Sequence, residues 1–118
     1  MNNPCQVPIS FYQGENFSPP PINWVDENGD PIDMAGYTAV MMARQTVNNS
    51  SVVLNASTTN GYITISATLG QIQINLPPVY TATLPSFQGV WDLFVYSGST
   101  IAIRLVGGPI NIFEPVTR

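Results

Sequence analysis

The chain has 118 residues, of which 44% are hydrophobic and only 8% charged, and its formal net charge is −4. That length holds one domain with one core. Arg44, Arg104 and Arg118 are the only bases, too few and too scattered to form a cationic groove for nucleic-acid phosphates. Histidine is absent, which removes the usual general base near neutral pH and the commonest metal ligand. A lone cysteine, Cys5, allows no intrachain disulfide and is expected to be an inert, semi-buried thiol. The first ten residues lack the basic and long apolar regions of a secretory signal. No run reaches the roughly 20 apolar residues of a membrane helix, so synthesis in the cytoplasm without membrane insertion is the expectation.

Residues 1–21, MNNPCQVPISFYQGENFSPPP, suggest a proline-rich arm with a short strand from Val7 to Tyr12. The prolines interrupt any ladder because they have no N–H. A single β-sandwich domain is expected over 22–118, starting with an extended run at Ile22–Val25. The next stretch places Asp26, Glu27, Asp30 and Asp33 within eight residues. Asp26, Asn28 and Asp30 alternate as at the start of a calcium loop. The sixth and twelfth positions, however, are Pro31 and Tyr37 rather than Gly and Glu. Asn28-Gly29 predicts a tight hairpin turn with positive φ values instead, its acids solvating the tip.

Tyr37–Gln45 alternates as a strand, although Ala, Met, Arg and Gln also favour helix; its shortness and lack of a cap decide for strand. A polar hairpin or long loop with a short edge strand near Val52–Leu54 follows, then a turn at Asn60-Gly61. Ile63 and Ile65, then Ile72, Ile74 and Leu76, keep the two-residue period of half-buried strands, with a turn at Leu69-Gly70. Tyr80–Leu84 is expected to be a strand or part of a crossing between sheets. Val90–Tyr96 is apolar on both faces except for Asp92, which predicts a central strand with Asp92 in a structural role, accepting hydrogen bonds or pairing with Arg104 on the neighbouring hairpin strand. After a turn at Ser97-Gly98, Ile101, Ile103 and Leu105 mark a strand from Thr100 to Val106. Gly107-Gly108 is expected to turn, and Ile110–Val116 to form the last strand. Seven to nine short strands separated by turn signals predict an all-β antiparallel sandwich or small barrel.

No catalytic constellation, cofactor motif or metal-ligand set emerges. Serines have no histidine to activate them, and no glycine-rich phosphate cradle follows a strand. Trp24, Trp91 and the tyrosines suit a core, an interface or a sugar-binding face.

The chain from Trp24 onward resembles small tail-associated proteins of tailed bacteriophages, including the Ig-like N-terminal domains of baseplate upper proteins and tail-fibre attachment proteins. The residues carrying this are Trp24, NGDPIDMAGYTAVMMAR (28–44), the glycine-led GYITI (61–65), ATLPSFQGVWDLFVYSG (82–98) and the closing IRLVGGPINIFEPVTR (103–118). Trp91 stands where tyrosine is commoner, and the arm has no counterpart. The resemblance implies an Ig-like β-sandwich without catalytic residues, in a virion tail assembled in the host bacterial cytoplasm. Its partners would be other tail or baseplate proteins and copies of itself. Phe11, Tyr12, Phe17 and Trp24 are the expected contact residues, with the arm crossing to a neighbour. The alternative from a different class is a carbohydrate-binding module that reads host glycans through Tyr or Trp.

Overall fold

A computed structural model describes residues 5–48, 51–97 and 101–116. The Cys5 side chain, Asn49, the turn residue Gly98 and the final Thr-Arg lie outside the described residues. The described residues form nine strands, β1 (Cys5–Gln6), β2 (Ile9–Tyr12), β3 (Ile22–Asn23), β4 (Tyr37–Arg44), β5 (Leu54–Ser57), β6 (Ile63–Ser66), β7 (Gln71–Ile74), β8 (Phe87–Ser97) and β9 (Ile101–Phe113), with a short 3-10 turn at Ala67–Leu69 and one α-helical turn, α1 (Pro78–Thr81), before β8. They form an all-β sandwich of two sheets. The large sheet runs β1-β9-β8-β4-β5, with β2 continuing β1 along β9; the small one runs β3-β7-β6.

The two-residue period fixes which side chains meet between the sheets. Ala39, Met41 and Ala43 of β4, Leu93 and Val95 of β8, and Ile110 and Ile112 of β9 face Ile63, Ile72, Ile74 and Leu76 of the small-sheet side in one buried cluster. A fully buried leucine or isoleucine in this layer contributes about 1.5–3 kcal/mol. Expected strands at Tyr37–Gln45, Ile63, Ile72–Ile74 and Val90–Tyr96 are all present, and β8 lies between β4 and β9.

The expected arm is part of the large sheet. Cys5 and Gln6 pair in parallel with Val106 and Gly107, and Ile9–Tyr12 with Ile110–Phe113. The register is the same on both sides of Val7-Pro8, and the Val7 N–H bonds the Gly107 carbonyl at 2.9 Å. Proline interrupts the strand assignment but not the track, because an edge strand can spare the one N–H that points away from its neighbour. The boundary drawn at residue 21 therefore has no counterpart in the pairing. Phe11, at 2% exposure, belongs to the common core.

Two other segments depart from expectation, one of them only in part. Tyr80–Leu84 is not a strand but lies, as the alternative has it, in the crossing from β7 of the small sheet to β8 of the large one; Pro77 and Pro78 start a helical turn there, since proline at the first helical position presets φ and lacks an N–H that would be orphaned anyway. The turn anchors the loop after β2: the Thr81 hydroxyl donates to the Glu15 carbonyl at 2.8 Å, and Gln13 Nε2 to the Leu84 carbonyl at 2.8 Å. Gly107-Gly108 does not turn either; β9 runs straight through it. What changes near there is parity. Leu93 pairs with Val106 but Phe94 with Arg104, which leaves Leu105 as an extra residue in a bulge. Ile103 and Val106 both face the core as a result.

The two glycines serve two different neighbours. Gly108 lies in register between Val7 and Trp91, where a Cβ would stand 2.6 Å from the Val7 oxygen. Without one, the Trp91 indole reaches across the strand and donates from Nε1 to the Val7 carbonyl at 2.9 Å. A Cβ on Gly107 would stand 2.2 Å from Arg104 Nη2 and 2.7 Å from the Trp91 oxygen, so on the other face the bare backbone makes room for the arginine.

The free edge of β5 is covered by its own chain. The outward N–H and C=O of Asn55 meet the Tyr80 hydroxyl, Asn60 Nδ2 donates to the same carbonyl, and the Ser57 N–H donates to Asn60 Oδ1. That edge is thereby blocked to a further strand.

Candidate functional site

Among the described residues, no three His, Cys, Asp or Glu side chains gather where a metal ion could sit. No helix among them is long and apolar enough to cross a membrane.

The acidic hairpin is a structured tip. The Val25 and Pro31 bridge closes it, the Gly29 N–H bonds the Asp26 carbonyl at 2.9 Å, and Gly29 sits at φ 85°. Asn28 has a negative φ, since only glycines take positive values among the described residues. The loop thus has the pattern of a turn followed by a left-handed glycine, rather than the two-residue form with both central φ values positive. Asp26 does more than solvate it: Oδ1 accepts from the Asn28 and Asp30 N–H groups at 2.9 and 3.0 Å. Asp33 Oδ1 accepts from the Ala35 N–H in the same way. Asp26 and Asp33 hold backbone, and all four acids are exposed to water.

The expected contact residues do not share one patch. Phe11 is buried and stacks on Phe17, with ring centroids 4.9 Å apart; Phe17 is half-buried and bridges Leu76. Tyr12 is 50% exposed and packs against Phe113 across the strand pair. Trp24 is half-buried against the core, with its ring edge toward Tyr37. Of the four, only Tyr12 offers a largely open side chain.

One apolar hollow, of about 480 Å³, lies beside Phe17 and is lined by Val7, Ile9, Pro19–Pro21 and Ile22; another concave surface lies on the outer face of the large sheet. Adjacent residues of a strand point to opposite faces, so Val40, Met42 and Arg44 of β4 and Val90, Asp92, Phe94 and Tyr96 of β8 point away from the core. With Arg104 of β9 they line an open groove of about 530 Å³. Phe94 and Tyr96 lie nearly parallel, 26° apart, with centroids 6.1 Å apart. Arg104 Nε stands 3.5 Å from Asp92 Oδ2, as expected from sequence, with side chains 33% and 42% exposed. A water-exposed pair at that distance contributes about 0–1 kcal/mol and serves mainly to hold the guanidinium over Gly107.

The inner face of the same strands is shielded by the small sheet, whereas the outer side chains are half-buried and open to the groove. The clue in the sequence was the double-sided apolar run Val90–Tyr96. It predicted centrality within the sheet; the second apolar face lines the groove.

No family model matches the chain, and no curated protein matches it.

Proposed function

We propose that the protein is a non-enzymatic structural component of a bacteriophage tail, baseplate or fibre-attachment region, acting through contacts between subunits. The observation that carries the reading is the apolar outer face of the large sheet: Val40, Met42, Val90, Phe94 and Tyr96 share one groove. Contiguous apolar surface of this kind marks interaction sites in folded proteins. Charged content of 8% fits a chain that spends its life packed against neighbours, and the resemblance of 28–44 and 82–118 to tail-associated Ig-like domains supplies the setting. Gold-labelled antibody against the chain should decorate the tail in electron micrographs of the particles; tails that stay bare would overturn the proposal.

A second reading rests on the near-parallel Phe94 and Tyr96 rings beside Asp92 and Arg104. Aromatic faces with adjacent hydrogen-bonding groups suit the apolar faces and hydroxyls of a sugar. That carbohydrate-binding reading predicts hits on a glycan array with the isolated protein, abolished by Tyr96→Ala; an array without hits disposes of it.

A further inference from the structure

We propose that the occupant of the outer groove is a second copy of this chain, seated through its acidic hairpin tip, Val25 to Pro31. The inference rests on the subunit-contact reading above and names the partner.

Charge is partitioned between the two surfaces. Of the three bases in the sequence, Arg44 and Arg104 border the groove, while Asp92 is the one acid among its lining residues; two positive charges less one negative leave +1. Asp26, Glu27, Asp30 and Asp33 bring −4 to the tip, all four exposed. The apolar parts match as well. Val25 is 47% exposed and, with exposed Pro31 opposite it, forms a ridge flanked by carboxylates. The groove offers Val40, Met42 and Phe94 flanked by guanidinium groups, which recognise carboxylates in a planar, two-pronged geometry.

The tip is also pre-ordered. The Asp26 carboxylate and the Gly29 N–H bond hold its backbone before any partner arrives, so docking loses little loop entropy. Topology makes the contact intermolecular. The tip belongs to the small-sheet layer, tied there by the Trp24 N–H to the Gly70 carbonyl and the Met34 N–H to the Ala67 carbonyl. The groove opens on the far side of the large sheet, out of its own tip's reach. A tip-to-groove contact is heterologous: an assembly that has not closed still presents one free tip at one end and one free groove at the other, so copies build a ring or a filament.

Sedimentation velocity over a concentration series tests this with the full chain. The wild type is expected to gain mass with concentration. Glu27→Lys with Asp30→Lys on the tip, and separately Phe94→Ser in the groove, should each weaken association at least about tenfold, the effect of losing some 1.4 kcal/mol; Arg44→Glu replaces Phe94→Ser if that variant melts early. Mixed in equal amounts, the tip variant and the groove variant should form heterodimers and nothing larger, because between them one intact tip and one intact groove remain. A tip variant that self-associates like the wild type overturns the proposal, as does a wild type that stays monomeric at its highest soluble concentration. Gold labelling of the tail in that second case would leave the structural reading standing with a different protein in the groove.

Discussion

Leu93 and Phe94 are neighbours in β8, yet they meet opposite surroundings. Leu93 is fully buried between the sheets, while Phe94 shares an open groove with two arginines and a carboxylate. Both side chains are large and apolar, so hydrophobicity alone does not distinguish core from contact surface. What distinguishes them is whether the fold supplies a second layer on that side. The small sheet supplies it for the inner face only. The large sheet thus divides its labour by residue parity, with stability inside and association outside, and the two are separable by substitution.

The contrast can be broken most strongly from inside. Leu93→Ala should lower unfolding free energy by about 2–5 kcal/mol, the transfer loss plus the cavity, measured by chemical denaturation. Gly107→Ala should cost about 1–3 kcal/mol through overpacking, because its Cβ meets both the Arg104 side chain and the Trp91 carbonyl; a neutral result would mean that the arginine is not confined. Trp91→Phe keeps most of the buried ring but removes the bond to Val7, and about 1 kcal/mol should go with it. Faster amide exchange in residues 9–12 than in β4 would show that the loss falls on the first strand. Asp92→Asn should change stability by less than about 1 kcal/mol. If denaturation showed it to be as costly as Leu93→Ala, the outer face would be a second core and the division would fail.

Much of the architecture was legible in the residue pattern. Alternating Ile63/Ile65 and Ile72/Ile74/Leu76 located the small sheet, and the Asp92 to Arg104 pairing followed from placing two strands side by side. Two features were misjudged for identifiable reasons. The proline-rich composition of residues 1–21 suggested an arm, but its short strand pairs with β9, and an edge strand tolerates the donor that Pro8 lacks. Two adjacent glycines suggested a turn, but they accommodate an indole on one side and a guanidinium on the other. The shift of the apolar residues from odd to even positions in β9 was visible, yet a one-residue bulge at Leu105 produces it without a turn. The site was less legible than the fold. Aromatic character drew attention to Phe11, Tyr12, Phe17 and Trp24, whereas exposure depends on which face a distant layer covers, and that is a property of the assembled sandwich.

The parallel pairing of the first strand with the last sets an order on synthesis. Cys5 waits for Val106 and Tyr12 for Phe113; at roughly 5–20 residues per second, the amino-terminal segment leaves the ribosome several seconds before its partner exists. Throughout that interval Ile9 and Phe11 are uncovered. Pro8 and the run Pro19–Pro21, which interrupt any stray ladder, lie where they guard the waiting segment against pairing with a nascent neighbour.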